Sequence, residues 1–341
     1  MSRAPRPAAI TFRWDLDKTY LRTEFESLRK MVRIPFETGA DKVHVPGVPE
    51  VIRALRRAAA ARGERPIVLF LSASPPQIGG AIREKLALDG IEYEGITFKD
   101  QLRNLMRGRW RGLREQVGYK LGELLASRVA GTAEGPEVLF GDDWESDPLI
   151  YSLYADALGG RLSPGDLAAL LARLEVDRAA IERIGAAAER VAREGPGEVR
   201  RIFINLERRT PPGRFHAFGP RLVPAFNYFQ TGAALFEMGL LNVRGLREVA
   251  TALREQSGVS GERLRNSLDD LVRRGHLRPG TRTRVLAALE RAGLASWGRD
   301  ESRLRTRLAA AFDRWTRRFR ASGGPAFAVD YERVLADWKR R

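Results

Sequence analysis

The sequence predicts an α/β protein with a doubly wound parallel sheet, helices on both faces of that sheet, and a mainly α-helical C-terminal domain. The apolar run at 66–71 is typical of a strand buried on both faces of a parallel sheet. Helical patterns separate the predicted strands, as in doubly wound folds. Polar residues directly follow three of these strands, at Asp15, Ser72 and Asp142. The active site of such a sheet lies beyond the carboxyl ends of its strands.

The first part of the chain is predicted to alternate between strands and helices. Residues 9–14 form a strand that ends at Asp15. The poorly patterned stretch 21–46 is too long for a tight turn and is interpreted as a flap or small cap. A helix begins at Pro49, because apolar residues recur after it at helical spacing. The later elements are a strand at 66–71, a helix from Pro75 to about Leu88, a strand at 95–98, a helix beginning at Lys120, a strand at 137–140 and a helix at 148–157.

The pattern changes after these elements. An Ala/Leu-rich helical pair at about 162–196 is interpreted as an insertion before a last strand at 199–206. The stretch 220–241 is predicted to be helical and rich in aromatic residues. Short helices broken by Gly and Pro follow at 242–322. We therefore predict a sheet-containing domain at 1–210 and a basic, helical accessory domain at 211–341.

Positive charge is concentrated in the C-terminal part of the chain. The 341 residues carry a formal net charge of +16. Residues 1–199 contain 30 Lys and Arg against 29 Asp and Glu, whereas residues 200–341 contain 29 against 14. A concentrated positive field attracts polyanions. An anionic membrane surface is the favoured partner, and nucleic acid ranks below it. The alternative is a solvated arginine-rich surface, and no partner protein is indicated.

Cysteine usage and hydropathy predict a cytoplasmic protein. Peripheral attachment to a membrane is the alternative. The chain has no cysteine, which excludes disulfides and thiolate chemistry and fits a reducing compartment. The first residues have no long apolar core, so a secretory signal is not expected. No window approaches the roughly 20 apolar residues that cross a bilayer.

The polar residues at the predicted strand ends suit phosphoryl transfer. Asp15 and Asp17 are two residues apart and therefore project to the same side, one to attack phosphorus and the other to handle a proton. Ser72 supplies a hydroxyl and Lys120 an amine for the phosphoryl oxygens, and carboxylates in 142–147 supply a metal site. The alternative for an isolated acidic pair after a strand is a turn or a helix cap.

These segments also resemble a known family. Residues 15–19 (DLDKT), the apolar run into Ser72, Lys120, and residues 141–147 (GDDWESD) resemble the four motifs of the haloacid dehalogenase superfamily of phosphatases, which have a Rossmannoid sheet. The local sequence is similar to one branch in particular, the catalytic domain of the actin-patch phosphatidate phosphatase family. The segments that carry this similarity are LSASP at 71–75, GITFKD at 95–100 and GDDWESDPLIY at 141–151. The resemblance covers about 11–206, apart from the insertion.

The resemblance implies a role for each of these residues. Asp15 is the nucleophile that forms an aspartyl-phosphate, and Asp17 is the general acid and then the general base. Ser72 and Lys120 hold the phosphoryl oxygens. Mg²⁺ is the implied cofactor, bound by Asp15, by Asp142 and by the backbone carbonyl of Asp17.

Several assignments around this set stay open. Ser74 is an alternative to Ser72, and Lys85 and Lys99 are alternatives to Lys120. Asp143 either shares the metal or is a solvated neighbour. The surrounding set of supporting or alternate residues is Thr19, Ser74, Asp143 and Asp147, of which Asp147 is expected to steady Lys120 or a metal-bound water.

The expected function is that of a Mg²⁺-dependent phosphatase acting on a phosphomonoester. The resemblance implies phosphatidate or another anionic phospholipid as the substrate. One alternative keeps the chemistry and acts on a nucleotide or on nucleic-acid phosphate ends. The other is a non-catalytic basic binding or scaffold protein with a vestigial phosphatase core. The aromatic residues near the start of the C-terminal part form either a membrane-interface helix or part of the core. They are Phe215, Phe218, Phe226, Tyr228, Phe229 and Phe236.

Overall fold

The computed structural model describes residues 7–21, 43–74, 76–99, 109–144, 146–295 and 328–339. Most of the flap or cap predicted at 21–46 lies outside these residues. The last part of the short-helix region, from 296 onward, also lies outside them.

A six-stranded open sheet forms the centre of the α/β fold. Its strands are β1 (Ala9–Asp15), β2 (Arg65–Ser72), β3 (Gly95–Phe98), β4 (Glu137–Asp142), β5 (Val199–Asn205) and β6 (Leu222–Ala225). They lie in the order β3-β2-β1-β4-β5-β6, and the first four neighbouring pairs in this order are parallel. The predicted parallel sheet is confirmed, and its first five strands agree with the predicted ones to within one or two residues.

The sixth strand corrects the prediction for 220–241. This stretch is not helical throughout, because Leu222–Ala225 is a strand and the helix begins only at Tyr228. The strand contains Pro224, which lacks a backbone N–H and is therefore tolerated mainly at the edge of a sheet. β6 lies at the sheet edge, which explains why a proline that argues against a central strand is accommodated there.

Side chains bury both faces of β1, as expected for a central parallel strand. On one face the ring of Trp14 stacks on Phe140 at 3.7 Å between centroids, and Phe140 stacks on Phe203 at 5.4 Å. On the other face the guanidinium of Arg13 pairs with the carboxylate of Glu137. Successive residues of β1 thus alternate between an aromatic layer and a polar layer.

Eleven α-helices lie in the described part of the chain. They are α1 (Val48–Ala61), α2 (Gly79–Leu88), α3 (Arg109–Val129), α4 (Asp147–Leu158), α5 (Pro164–Arg173), α6 (Arg178–Glu194), α7 (Tyr228–Glu237), α8 (Val243–Ser257), α9 (Gly261–Arg273), α10 (Pro279–Arg291) and α11 (Tyr331–Lys339). The insertion predicted at 162–196 forms α5 and α6. Among the described residues, no helix is both long enough and apolar enough to span a bilayer.

The described residues divide into two compact units. The sheet unit takes the residues up to 45, then 63–224, then those from 328 on. The helical unit takes 46–62 and the residues from 225 to 295. The division differs from the predicted boundary at 210, since α1 groups with the helical unit and α11 with the sheet unit. The compact units are defined by contacts within the structure, whereas a domain is a part that folds independently. The predicted domain bounds therefore stay a prediction.

The sheet unit buries α4 over its whole length. Nearby, α3 and α6 approach closely at Gly118, where an added Cβ would lie 3.1 Å from Val176 and 3.3 Å from Ala180. In this helix the glycine serves close packing and does not end the helix. In the helical unit, α1 and α8 meet in the same way, because a Cβ on Gly245 would lie 2.6 Å from the Cβ of Ala54.

Most of the C-terminal aromatic residues pack inside the two units. Phe215 and Phe218 are buried in the sheet unit, and Tyr228 and Phe229 are buried in the helical unit. Phe226 is 45% exposed. Four of these aromatic side chains are therefore core residues, as the packing alternative expects.

Candidate active site

The three predicted strand-end residues lie at one edge of the sheet. β1 lies between β2 and β4, and all three run parallel, so their carboxyl ends point to the same side. Asp15 is the last residue of β1, Ser72 of β2 and Asp142 of β4. Each is fully buried. Their positions follow directly from strand register, because apolar runs of similar length end at equivalent levels of the sheet.

Lys120 joins the cluster from helix α3. Its Nζ lies 2.7 Å from Oδ1 of Asp15 and 2.7 Å from Oδ1 of Asp147, and all three side chains are fully buried. The other two candidate lysines lie elsewhere, with Lys85 on Asp89 at 2.7 Å and Lys99 on Glu115 at 3.5 Å. Of the three lysines, Lys120 is the one that contacts Asp15.

The prediction that a helix begins at Lys120 is wrong. Helix α3 begins at Arg109, so Lys120 lies near its middle. Its burial follows from helical periodicity, because Val117, Leu121 and Leu124 lie on the same side and are also buried. The lysine is therefore placed by the apolar face of a helix and not by a helix terminus.

Asp147 is the first residue of α4 and is held by the strand before it. Its Oδ2 accepts a hydrogen bond from the backbone N–H of Asp142 at 3.3 Å. An added Cβ on Gly141 would lie 2.4 Å from Oδ2 of Asp147 and 2.8 Å from the ring of Tyr151. Only a residue without a side chain at 141 leaves room for Asp147 to approach the strand.

Three buried carboxylates could hold a metal ion. Asp15, Asp142 and Asp147 each offer an oxygen, and these atoms lie within 4.8 Å of one another. An all-oxygen donor set fits a hard cation. Asp15 and Asp142 were predicted as ligands. Asp147, predicted as a supporting residue, belongs to the same group of oxygens, and the predicted contribution of the Asp17 carbonyl stays a prediction.

The carboxylate of Asp17 lies among hydroxyl groups. Ser72 Oγ donates to it at 2.8 Å, and Ser74 Oγ lies 3.0 Å from both of its oxygens. The backbone N–H of Ser74 in turn donates to Ser72 Oγ at 3.0 Å. Both candidate serines therefore contact the same acid, and the question of which one holds phosphate stays open.

Two other predicted residues have supporting positions. Thr19 Oγ1 lies 3.4 Å from Oδ2 of Asp142, whose Oδ1 accepts the backbone N–H of Trp144 at 2.6 Å. Asp143 is oriented towards the segment after β5, where its carboxylate accepts the backbone N–H groups of Arg208 at 2.9 Å and Thr210 at 3.0 Å. In this arrangement Asp143 fixes a loop, and it is not part of the carboxylate group that could hold the metal.

Sequence reasoning missed two tyrosines beside the site. The hydroxyl of Tyr119 donates to the carbonyl of Ser72 at 3.2 Å, and that of Tyr151 lies 3.3 Å from the carbonyl of Phe140. Burial raises the pKa of both phenols, with a further contribution from Glu123 for Tyr119 and from Asp147 for Tyr151. Both are therefore neutral side chains at physiological pH. No spacing signal in the sequence distinguishes them from ordinary core tyrosines.

Comparisons with protein-family models, with curated proteins and with solved structures find no match to this chain. The family resemblance of the motifs therefore remains an expectation.

Proposed function

We propose that this protein is a metal-dependent phosphatase that hydrolyses a phosphomonoester through an aspartyl-phosphate. One observation carries the proposal: Asp15, Lys120, Asp142 and Asp147 are buried together at the carboxyl edge of a parallel sheet, with Asp17 beside them. This arrangement supports the proposal, because Asp15, the proposed nucleophile, lies next to a cation and to carboxylates that could hold a metal ion.

In the proposed reaction, Asp15 and Asp17 carry the bond changes. An oxygen of Asp15 attacks phosphorus, the bond from phosphorus to the leaving oxygen breaks, and Asp17 gives that oxygen a proton. Water then attacks the same phosphorus and Asp17 accepts a proton from it. The bond between Asp15 and phosphorus breaks, which releases inorganic phosphate and restores both carboxyl groups.

The groups around these two acids support the proposal. Lys120 contacts Asp15 directly, and its charge offsets the repulsion between a carboxylate and an anionic phosphate. Between the two half-reactions the hydroxyls of Ser72 and Ser74 stabilise the carboxylate form of Asp17.

Asp15, Asp142 and Asp147 are the residues that would hold the divalent cation. Their oxygen donors suit Mg²⁺, which favours carboxylates together with substrate phosphate. When bound, such an ion supplies charge stabilisation for the phosphoryl oxygens. The protein's own contribution is to fix three carboxylates in a buried position, with Lys120 bridging two of them.

The substrate class comes from the resemblance alone. It implies phosphatidate or another anionic phospholipid, and the wider proposal requires only a phosphomonoester. Substrates from lipid, metabolite and nucleic-acid classes should therefore be screened together.

The proposal is tested by hydrolysis of p-nitrophenyl phosphate with Mg²⁺, with and without a chelator. Chelation should abolish turnover, and acid quenching during turnover should trap a phosphoenzyme that hydroxylamine cleaves, as it cleaves acyl phosphates. Asp15→Asn should remove both signals while retaining the wild-type circular dichroism spectrum. Asp166→Asn, on the exposed N-terminal turn of α5, is the matched control and should keep both. Full turnover in Asp15→Asn would exclude the mechanism, and no turnover of any ester in the screen would favour the scaffold alternative.

A further inference from the structure

Two cationic side chains and one indole lie beside the candidate active site. Nζ of Lys18 is 3.6 Å from the ring centroid of Trp144, and Cζ of Arg208 is 4.6 Å from it. We call Lys18, Trp144 and Arg208 the cationic rim. Each member follows a different strand of the sheet, namely β1, β4 and β5. The rim is thus assembled at the same carboxyl edge as the buried carboxylates.

Backbone contacts tie the rim to the site. Lys18 follows Asp17 directly and has a left-handed backbone, with φ of 61°. The N–H of Trp144 donates to Asp142 at 2.6 Å. The N–H of Arg208 donates to Asp143 at 2.9 Å. Each rim residue therefore either follows an acidic residue of this edge in the chain or donates a backbone hydrogen bond to one.

The indole of Trp144 is in direct contact with the two cations and leaves no room for a ligand group between itself and either of them. A cation 3.6 Å from the ring centroid leaves no space for a flat group between the two, and 4.6 Å is also too short. The contacts are those of cation–π pairs. Arg208 is exposed and Lys18 is half-buried, and the indole of Trp144 beside them is 38% exposed, so both positive groups have access to solvent.

The charges of the site and the rim are complementary to a particular kind of ester. The site contains four carboxylates, those of Asp15, Asp17, Asp142 and Asp147, with Lys120 as the cation among them. Lys120 and a bound divalent cation would carry three positive charges, so the carboxylates and the reacting phosphate together leave an excess of negative charge. That excess repels a further anion unless other cations lie near its path. The rim supplies two.

We propose that the cationic rim binds a second anionic group, a carboxylate or a further phosphate, on the leaving group of the substrate. The inference rests on the proposed phosphatase function and narrows its substrate class. The bond changes are those given above, and the second anion takes no part in them. Diacylglycerol carries no such group, so phosphatidate would be a poorer substrate than an ester with an anionic leaving group.

The test compares esters that differ in the charge of the leaving group. One pair is 3-phosphoglycerate and glycerol 3-phosphate, and the other is fructose 1,6-bisphosphate and fructose 6-phosphate. The wild-type protein should show the higher kcat/KM for the more anionic member of at least one pair. The pair that shows it distinguishes a carboxylate from a phosphate. The preference should decrease as ionic strength rises, because exposed charges are screened by salt.

Variants assign the preference to the rim. Arg208→Gln should reduce the ratio of the two kcat/KM values by about two- to fivefold, the upper part of the range for one exposed ion pair. The double variant with Lys18→Gln should reduce it further. Arg200→Gln is the matched control, because Arg200 is an exposed arginine near the start of β5, at the end of the strand away from the site. It should leave the ratio unchanged.

Two results would overturn the inference: no preference in the wild-type protein, or a preference that Arg208→Gln and the double variant retain. If no ester is hydrolysed at all, the phosphatase proposal fails separately. Calorimetric binding of 3-phosphoglycerate and fructose 1,6-bisphosphate then decides about the rim. Binding that weakens in Arg208→Gln supports the rim, and absent or unchanged binding rejects it.

Discussion

Two buried ionic clusters lie two residues apart on the same face of β1, and they differ in charge balance. Arg13 contacts Glu137 at 2.5 Å, Ser127 at 2.6 Å and Tyr154 at 3.1 Å. Glu137 also accepts from Tyr154 at 2.7 Å. Glu137 and Tyr154 raise the pKa of Arg13 and outweigh burial, which acts to lower it.

Around Asp15, by contrast, carboxylates outnumber cations. Lys120 bridges Asp15 and Asp147, and the carboxylate of Asp142 is also within the group. Burying charge costs free energy unless opposite charge and hydrogen bonds offset it. The Arg13 cluster pairs its buried charges within the protein, whereas the cluster at the sheet edge contains more carboxylates than cations and could hold a metal ion. Under the proposed function, this imbalance of buried charge distinguishes the candidate active site from the Arg13 cluster.

The largest expected effect is a loss of stability when the Arg13 cluster is broken. Arg13→Met leaves Glu137 buried without its main partner and should lower the free energy of unfolding by about 3–5 kcal/mol, the cost of breaking a buried ion pair. Urea unfolding measures it. Phosphatase activity per folded molecule should not change. Adding Glu137→Leu should recover most of the loss, and a double variant as unstable as the single one would show that the pair is not the cause.

The second prediction concerns the cation of the unbalanced cluster. Lys120→Met should lower kcat by about 10²–10³-fold, the usual effect of removing one group that stabilises transition-state charge. Lys85→Met is the control, because Lys85 pairs with Asp89 elsewhere in the sheet unit. Steady-state kinetics at saturating Mg²⁺ measures both. Equal activity in the two variants would remove Lys120 from the proposed mechanism.

The third prediction separates two adjacent carboxylates. If the buried acids require a cation, Mg²⁺ at about 100 times its Kd should stabilise the wild-type fold by about 2.7 kcal/mol. Asp142→Asn should lose most of this stabilisation. Asp143→Asn should retain it, because Asp143 is hydrogen-bonded to the segment after β5. Thermal unfolding with and without Mg²⁺ tests both, and equal responses would contradict the assignment.

The sequence was most informative about the residues at the ends of strands. Continuous apolar runs located β1, β2 and β4, and the residues that follow such runs reach the same sheet edge in any doubly wound fold. Asp15, Ser72 and Asp142 were therefore predictable. The sequence identified Lys120 as a candidate but gave the wrong position for it in its helix. The first residues of α3 are polar, so the apolar pattern that marks the helix appears only further along the chain.

Other features depend on contacts that have no local signal. The sequence analysis missed β6 because the strand contains Pro224, and proline is tolerated in a strand mainly when that strand lies at the edge of a sheet. Trp144 and Arg208 come together only through the placement of the loops that follow β4 and β5. Asp147 belongs to the group of carboxylates that could hold a metal because Gly141 leaves room for it to approach. Sequence spacing does not reveal this steric relation.

The fourth prediction tests this steric relation. Gly141→Ala would place a Cβ 2.4 Å from Oδ2 of Asp147, so the carboxylate or the strand must move. We expect a loss of about 1–3 kcal/mol in the free energy of unfolding, as for other overpacked sites, together with weaker Mg²⁺ binding. Gly185→Ala in α6 is the control, since a Cβ there meets nothing within 4 Å. An unchanged response to Mg²⁺ in Gly141→Ala would show that Asp147 is not a ligand.

The smallest expected effect is at a third, partly exposed ionic cluster, around Asp89. Its carboxylate accepts from Tyr20 at 2.6 Å and Lys85 at 2.7 Å, and Nδ1 of His44 lies 3.3 Å away. Burial raises the pKa of Asp89, but the contacts with His44, Lys85 and Tyr20 outweigh it and lower the pKa from 3.8 to about 2. Such a group stabilises the fold fully above the pKa of the unfolded chain, and the contribution is lost as pH falls towards the lower pKa of the folded state.

Between pH 5 and 2, therefore, the free energy of unfolding should fall more steeply in the wild-type protein than in Asp89→Asn. The difference should be about 1 kcal/mol, because solvent screens a partly exposed cluster. Urea unfolding at several pH values measures the two curves. Parallel curves would show that Asp89 keeps an ordinary pKa in the folded protein. Pairing of opposite charges would then stabilise the buried Arg13 cluster but would not measurably stabilise the partly exposed cluster around Asp89.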